Sequence, residues 1–294
     1  MVAQLPAVSI CIPAYQAARH LPATLRFVTA QNCPDLEIVV LDNASTDGTG
    51  EIARRSGDPR VRVERNKTML PLADNWNRAV ELSRAPLVKV VCADDLVHPD
   101  LTRQQREVLD VDSTVALVAN RRHLIDDDGA LVAASTGLRH LVGRFDGPAV
   151  AAKVVRDGGN PIGESAAVMF RRADFDAIGG FNGALLFPMD LDLWLGLLNH
   201  GDFVGLPEPR AAFRASTGSL SSQRQRVQYD EQLQLTSRIA HDPRWGVRYR
   251  DRLVGRLSAP LARIRRELFF RVAAHPRRRT LSRVMAGRES AWLG

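Results

Sequence analysis

Apolar and polar positions fall into blocks of two kinds along this chain. Val8-Ser9-Ile10-Cys11-Ile12 has the length and β-branched content of a buried strand stopped by Pro13, and Leu21 to Ala30 has helical spacing. Glu37 to Leu41 reads as a second strand. It runs into the polar stretch Asp42 to Thr49, whose Ser, Thr and Asp residues suit the start of a helix over Gly50 to Arg55. Val61 to Val63 is a short strand, and Leu72 to Arg84 a helix with Leu72, Trp76, Ala79, Val80 and Leu82 near one face. Leu87 to Asp94 follows as a strand that ends in the adjacent acids Asp94 and Asp95 before a turn marked by Pro99. Further on come a helix over Leu101 to Leu109, a strand over Val115 to Ala119 and a turn at Asp126 to Gly129. A loop over Asn160 to Ser165 then enters the strand Ala166 to Phe170. A turn at Gly179-Gly180-Phe181 precedes an apolar helix, Met189 to Leu198, with acids in its first turn.

Strands alternating with helices predict an α/β fold with a doubly wound, mostly parallel sheet flanked by helices. In such a sheet the strand ends Pro13-Ala14-Tyr15, Asp42-Asn43 and Asp94-Asp95 meet at one crevice. Two adjacent carboxylates at the end of a core strand are costly to desolvate unless a cation meets them. Mn²⁺ or Mg²⁺, shared with the phosphates of a substrate, suits oxygen ligands of this kind. The pair therefore predicts a metal–diphosphate site, against the plainer reading of a turn or a helix cap. The run Asp126 to Asp128 lacks EF-hand spacing and reads as a solvated hairpin.

From about Gln223 the pattern changes. Leu253, Leu257, Leu261, Ile264, Leu268 and Val272 recur at helical spacing among Arg252, Arg256, Arg263, Arg265, Arg266 and Arg271. This divides the chain into a larger domain over 1–221 and a helical, arginine-rich C-terminal extension over 222–294. The chain has 294 residues, is 45% hydrophobic and 25% charged, and carries a net charge of +7, which suits a globular protein with anionic partners. The charge run Arg277-Arg278-Arg279 has no stacking aromatics beside it, so nucleic acid is not an expected partner. Three scattered cysteines and no bilayer-spanning apolar run give the expectation of a cytoplasmic protein, with the basic tail available for the inner face of a membrane. No Gly-x-Ser-x-Gly elbow and no phosphate loop ending in Gly-Lys-Ser or Gly-Lys-Thr occurs, which excludes those two chemistries.

In this order the motifs resemble the family 2 glycosyltransferases of GT-A fold. The matching stretches are Val8 to Tyr15, Ile38 to Thr49, Asn75-Trp76-Asn77-Arg78-Ala79, Asp94-Asp95 with Pro99, Gly179-Gly180-Phe181, Asp190 to Leu195, and Pro207 to Arg214. The resemblance implies transfer of a sugar, with inversion, from a nucleotide-diphosphate donor, a UDP-sugar, to a hydroxyl of a cell-surface polysaccharide or glycolipid. It implies that Asp42 accepts hydrogen bonds from the base, with Pro13, Ala14, Tyr15, Asn43 and Asn77 around the nucleotide. Asp94 and Asp95 would hold Mn²⁺ or Mg²⁺, and Asp190 would be the general base. Asp192 is then the first-turn carboxylate that favours the helix dipole, and Trp194 is either an acceptor platform or core.

Three positions depart from the family pattern. Cys92 stands where an acid is common, Met189 precedes the base in place of an acid, and Ser216 replaces a histidine. These departures motivate an alternative, a catalytically inactive nucleotide-sugar binding protein of the same fold. A sugar nucleotidyltransferase is a second alternative, although Pro13-Ala14-Tyr15-Gln16 does not resemble its glycine- and arginine-rich loop. The basic tail either docks on an anionic membrane beside a lipid-linked acceptor or packs on the catalytic domain.

Overall fold

The computed structural model describes residues 5–215, 225–260 and 293. Its centre is a ten-stranded sheet flanked by helices. Strands β1 (Val8–Ala14), β2 (Leu36–Asp42), β3 (Val61–Arg65) and β4 (Leu87–Val90) pair in parallel in the order β3-β2-β1-β4. The connecting helices are α1 (Leu21–Thr29), α2 (Thr49–Arg54) and α3 (Leu72–Glu81). The winding direction reverses between β1 and β4, which opens a crevice at the carboxyl ends of these two strands.

Every side chain of β1 and β2 is buried, as their unbroken apolar runs require for a sheet covered on both faces. Alternate positions divide between two cores. Cys11, Val88 and Val90 pack on one face with Val80 and Trp194, whereas Ile10 and Ile12 pack on the other with Leu21, Leu25 and Val28. Burial pushes the Cys11 thiol up to about 12, so it is an apolar filler with no nucleophilic role.

The strand expected to reach Asp94 stops at Val90. The N–H of Val91 still donates to Cys11 O at 2.9 Å, after which Cys92 to Asp95 turn, with Asp95 N donating to Cys92 O at 3.1 Å. A strand would point Asp94 and Asp95 to opposite faces, whereas the turn keeps both at the crevice.

Beyond it the sheet becomes mixed. A two-residue strand β5 (Leu96–Val97) leads to α4 (Leu101–Val111) and the long β6 (Val115–Ile125), six residues longer than the apolar run suggested. Then follow β7 (Leu131–Thr136), β8 (Gly143–Phe145), α5 (Gly147–Asp157), β9 (Val168–Arg171), α6 (Arg172–Ile178), α7 (Met189–Leu197) and β10 (Asp202–Arg214). Strand β9 lies antiparallel between β4 and β6, and β10 runs parallel to β6.

Lys89, in the middle of β4, is fully buried. Its ammonium group donates to Ala166 O at 2.8 Å and Val168 O at 2.9 Å, and burial pushes its pKa well below the ordinary lysine range. This lysine ties the strand leading to the acidic turn to the segment entering β9.

Helix α8 (Gln225–His241), at the start of the expected extension, packs on the sheet-bearing part of the chain. Leu235, Ile239 and Ala240, together with Trp245 and Val247 after it, belong to the same core as Trp194 and Phe170. Residues on both sides of 221/222 thus share one core. A last described helix, α9, covers 249–260. Ser216, the leucine and arginine pattern beyond 260, and Arg277 to Arg279 lie outside the described residues. Among the described residues no helix is long and apolar enough to cross a membrane.

Candidate active site

The polar run after β2 fastens the loop after β1. Ser45 Oγ accepts from Gln16 N at 3.1 Å, Thr49 Oγ1 from Ala17 N at 2.8 Å, and Asp47 Oδ2 from Ala18 N at 2.9 Å. These side chains were expected to cap a helix. Asp47 Oδ1 does accept from Thr49 N at 3.1 Å where α2 begins. Together the three side chains also hold Gln16 in the left-handed region (φ 48°) and leave Tyr15 half exposed at the crevice, with Pro13 and Ala14 buried below it. Although burial works upward on Asp47, hydrogen bonds from Thr49 and Ala18 hold its carboxyl below the usual range.

Asp42 ends β2 with no exposed surface. One carboxylate oxygen accepts from Ser45 N at 2.9 Å, and the other is paired with the Arg65 guanidinium, which also donates to Ser45 O at 2.9 Å. Helix α2 starts close above it. A Cβ at Gly50 would stand 2.6 Å from Asp42 Oδ2, so this close approach needs glycine.

Two residues expected at the nucleotide have other work. The Asn43 amide donates to Leu70 O at 3.0 Å and accepts from Leu70 N at 2.9 Å and Asn66 Nδ2 at 2.8 Å, so it fastens the approach to α3. The Asn77 amide brackets Phe181, accepting from its N–H at 2.7 Å and donating to its carbonyl at 3.0 Å. It holds the Gly179-Gly180 turn, where Gly180 has φ 76° and a Cβ would meet Asn77 Oδ1 at 2.5 Å.

The acidic turn sits where the crevice opens. One ligand atom each from Cys92, Asp94 and Asp95 lies within 4.8 Å of the others. Asp95 is fully buried. Its Oδ1 accepts from Arg214 N at 3.0 Å, and its Oδ2 has no hydrogen-bond partner. Burial, then the neighbouring Asp94 charge, pushes the Asp95 carboxyl well above its ordinary range, and burial raises Asp94 against the pull of Arg214. An orphaned buried carboxylate oxygen beside a second carboxylate fits a hard divalent cation. Burial first and the two aspartates second push the Cys92 thiol well up, so it is a neutral neighbour and not a substitute acid.

Arg214, at the end of β10, closes the site from the side. It is buried, and its guanidinium donates to Asp94 O at 2.9 Å, Asp126 O at 2.7 Å and Asp127 O at 3.0 Å. The triple-acid hairpin, expected to be merely solvated, is thereby drawn to the acidic turn.

Asp190 lies half-buried in the first turn of α7, close enough to add to the upward push on the Cys92 thiol. Its Oδ2 accepts from Asn160 Nδ2 at 3.2 Å, and its Oδ1 from Leu191 N at 2.7 Å. Asn160 also donates to Gly163 O at 3.0 Å, the carbonyl that accepts from the Trp194 indole N–H at 3.1 Å. Trp194 is fully buried against Phe170 and is core, not a sugar platform.

From α8, Glu231 Oε2 accepts from Leu186 N at 3.0 Å and Phe187 N at 2.9 Å, in the loop entering α7, and Arg238 pairs with Asp192. A cavity of about 340 Å³ lies outside this site, lined by Ile178, Asp192, Leu195, Arg238, Ile239 and Trp245. Asp192 and Asp190 are about 200° apart around the helix. Asn160, Glu231 and Arg65 carry no sequence signal, because their partners are distant and no spacing links them.

The family model for glycosyl transferase family 2 matches residues 9–179. The Mycobacterium tuberculosis protein MT1568 is 33% identical over 198 residues, which are 66% of this chain and 62% of that protein. The chain thus spans less than two thirds of that relative. Among solved structures, a mannosyltransferase from Pyrobaculum calidifontis in complex with GDP-Man and Mn²⁺ superposes with a TM-score of 0.62 at 18% identity, covering 99% of this chain and 84% of that one. Residues 1–349 of Staphylococcus aureus TarS, in complex with UDP-GlcNAc, give 0.63 at 16% identity, covering 79% and 66%. At these identities the structures speak for the fold.

Proposed function

The chain belongs to glycosyl transferase family 2, and we propose that it moves a sugar from a UDP-sugar to a hydroxyl of a cell-surface polysaccharide or glycolipid, with inversion. The observation that carries this reading is the buried pair Asp94 and Asp95, with a carboxylate oxygen of Asp95 left without a hydrogen-bond partner, at the point where the sheet reverses. Asp94 and Asp95 would hold Mn²⁺ or Mg²⁺, which supplies positive charge to the departing diphosphate. Pro13, Ala14 and Tyr15 line the nucleotide side. Asp42 reads the base once its oxygen is released by Arg65.

Asp190 takes the proton of the acceptor hydroxyl as that oxygen bonds to the anomeric carbon and the bond to the diphosphate breaks. Its carboxylate is oriented by Asn160 and Leu191 and stays half-open to a ligand. A lipid-linked acceptor would be met at the inner face of a membrane.

The test is calorimetric binding of UDP with and without Mn²⁺, on the wild type and on Asp94→Asn. Binding that needs the ion and collapses in the variant supports the reading, and binding indifferent to both removes the metal from it. Binding intact but no turnover over a broad acceptor panel would return the chain to a nucleotide-sugar binding protein.

A further inference from the structure

Helix α9 has two unlike faces. The inward face is small and fastened. Asp251 and Ala259 are buried, a Cβ at Gly255 would stand 2.3 Å from Val155 O, and the Ala259 Cα is 2.9 Å from where a Cβ of Gly158 would be. Arg156 of α5 pairs with Asp251 at 3.6 Å, and the Ser258 hydroxyl donates to Arg156 O. Residues 251, 255 and 259 follow one another every fourth position, so this is the face that packs on α5.

The leucine pattern lies two positions on, about 200° around the helix. Tyr249 is 76% exposed, Leu253 47%, Val254 44% and Leu257 69%. The stripe that periodicity would place against a core is therefore turned away from it. Four large apolar side chains on little more than two turns exceed what a solvated helix face carries. The charges among them are of one sign. Between 248 and 260 the charged residues are Arg248, Arg250, Asp251, Arg252 and Arg256, and the single acid is the one turned inward to Arg156.

We infer that the outer face of α9 docks on the surface of an anionic bilayer, with Leu253, Val254 and Leu257 in the acyl boundary, Tyr249 at headgroup depth and the exposed Arg250 and Arg256 on lipid phosphates. A second copy of the chain is a poor occupant, because a two-fold pairing of this face would set arginine against arginine with no acid between. A nucleic acid would leave the leucines without a partner. The surface stands on these side chains alone, while its use, delivery of the enzyme to a lipid-linked acceptor, rests on the proposed function.

The experiment is co-sedimentation of the full chain with vesicles of phosphatidylcholine containing phosphatidylglycerol, against phosphatidylcholine alone, at low and high salt. Wild type, Leu253→Ser/Leu257→Ser and Arg250→Gln/Arg256→Gln are compared. Wild type is expected on the anionic vesicles only, with retention falling as salt rises. The leucine pair should lower the partition coefficient at least about tenfold, and the arginine pair should lower it at low salt.

Absence of retention, or retention unchanged in the leucine pair, overturns the inference. So does a wild-type dimer that the leucine pair dissociates. A marked fall in melting temperature in that pair would likewise overturn it, by showing the leucines covered by the chain itself. UDP and Mn²⁺ calorimetry on the same variants should match wild type, so failure of docking and failure of the enzymatic reading are told apart.

Discussion

The two sides of the crevice are held together by different means. On the β1–β2 side, one run, Ser45 to Thr49, supplies the pins that fix the neighbouring loop, and the residues that line the pocket sit next to it in the same motifs. On the Asp190 side each support comes from a separate element. Asn160 reaches from the loop before β9, and Glu231 and Arg238 from α8. The first side can be kept by conserving one short stretch. The second depends on the placement of parts over most of the chain, and its shape is free to vary as those parts vary.

The sharpest break between the sides should come from Asp190→Asn. Turnover is expected to fall by about 10²–10⁴, the usual contribution of a general base, while UDP affinity with Mn²⁺ stays at the wild-type value in calorimetry. Asp94→Asn should do the converse and raise the dissociation constant for UDP in Mn²⁺ by about 100-fold or more, on the scale of losses seen at metal shells. Equal damage to binding by both variants would mean that the two sides do not divide the work in this way.

Glu231→Gln is the subtler test, because the residue touches neither ligand nor metal. Losing the charge that receives two N–H groups should loosen the loop before α7 and lower turnover about tenfold, the effect of a small misplacement, with UDP binding untouched. Faster amide exchange at Leu186 and Phe187 would accompany it. Loss of UDP binding instead would place α8 on the nucleotide side.

The smallest effect concerns Lys89. Its folded pKa is depressed, so below the ordinary lysine value of 10.5 the unfolded chain binds more protons than the native one. Stability should therefore rise with pH between the lowered folded pKa and 10.5, by at most about 1.4 kcal/mol per pH unit from this one group, and fall as pH drops through that interval. Denaturant titrations of wild type and Lys89→Met at several pH values would show whether this slope disappears in the variant.

What could be read before the structure follows the same division. The strands β1 and β2, the polar run behind them, Asp94-Asp95 and the acid-led helix at Asp190 are local patterns, and they lie where periodicity and motif order put them. Spacing says least where a side chain's partner is far away in the chain. Asn43 and Asn77 belong to the right motifs, yet Leu70 and Phe181 claim their amides. The leucines of α9 have a core-like spacing, but the glycine and alanine on the other face allow a closer approach to α5 and take the packed position. Trp194 could not be placed from spacing, because the carbonyl of Gly163 that receives its N–H belongs to a different loop.

On the proposed function, the pairing of Arg65 with Asp42 bears on how tightly a nucleotide is captured. The carboxylate has no surface of its own to offer, and both of its oxygens are already engaged, one by the Ser45 N–H and the other by Arg65. Any base that reads it must arrive in the fraction of molecules whose guanidinium has swung away, so the measured affinity is the intrinsic one scaled by that fraction. Opening of one half-exposed ion pair is fast compared with capture, so the pairing lowers affinity without limiting the rate. Shortening Arg65 should tighten nucleotide binding by the reciprocal of that fraction.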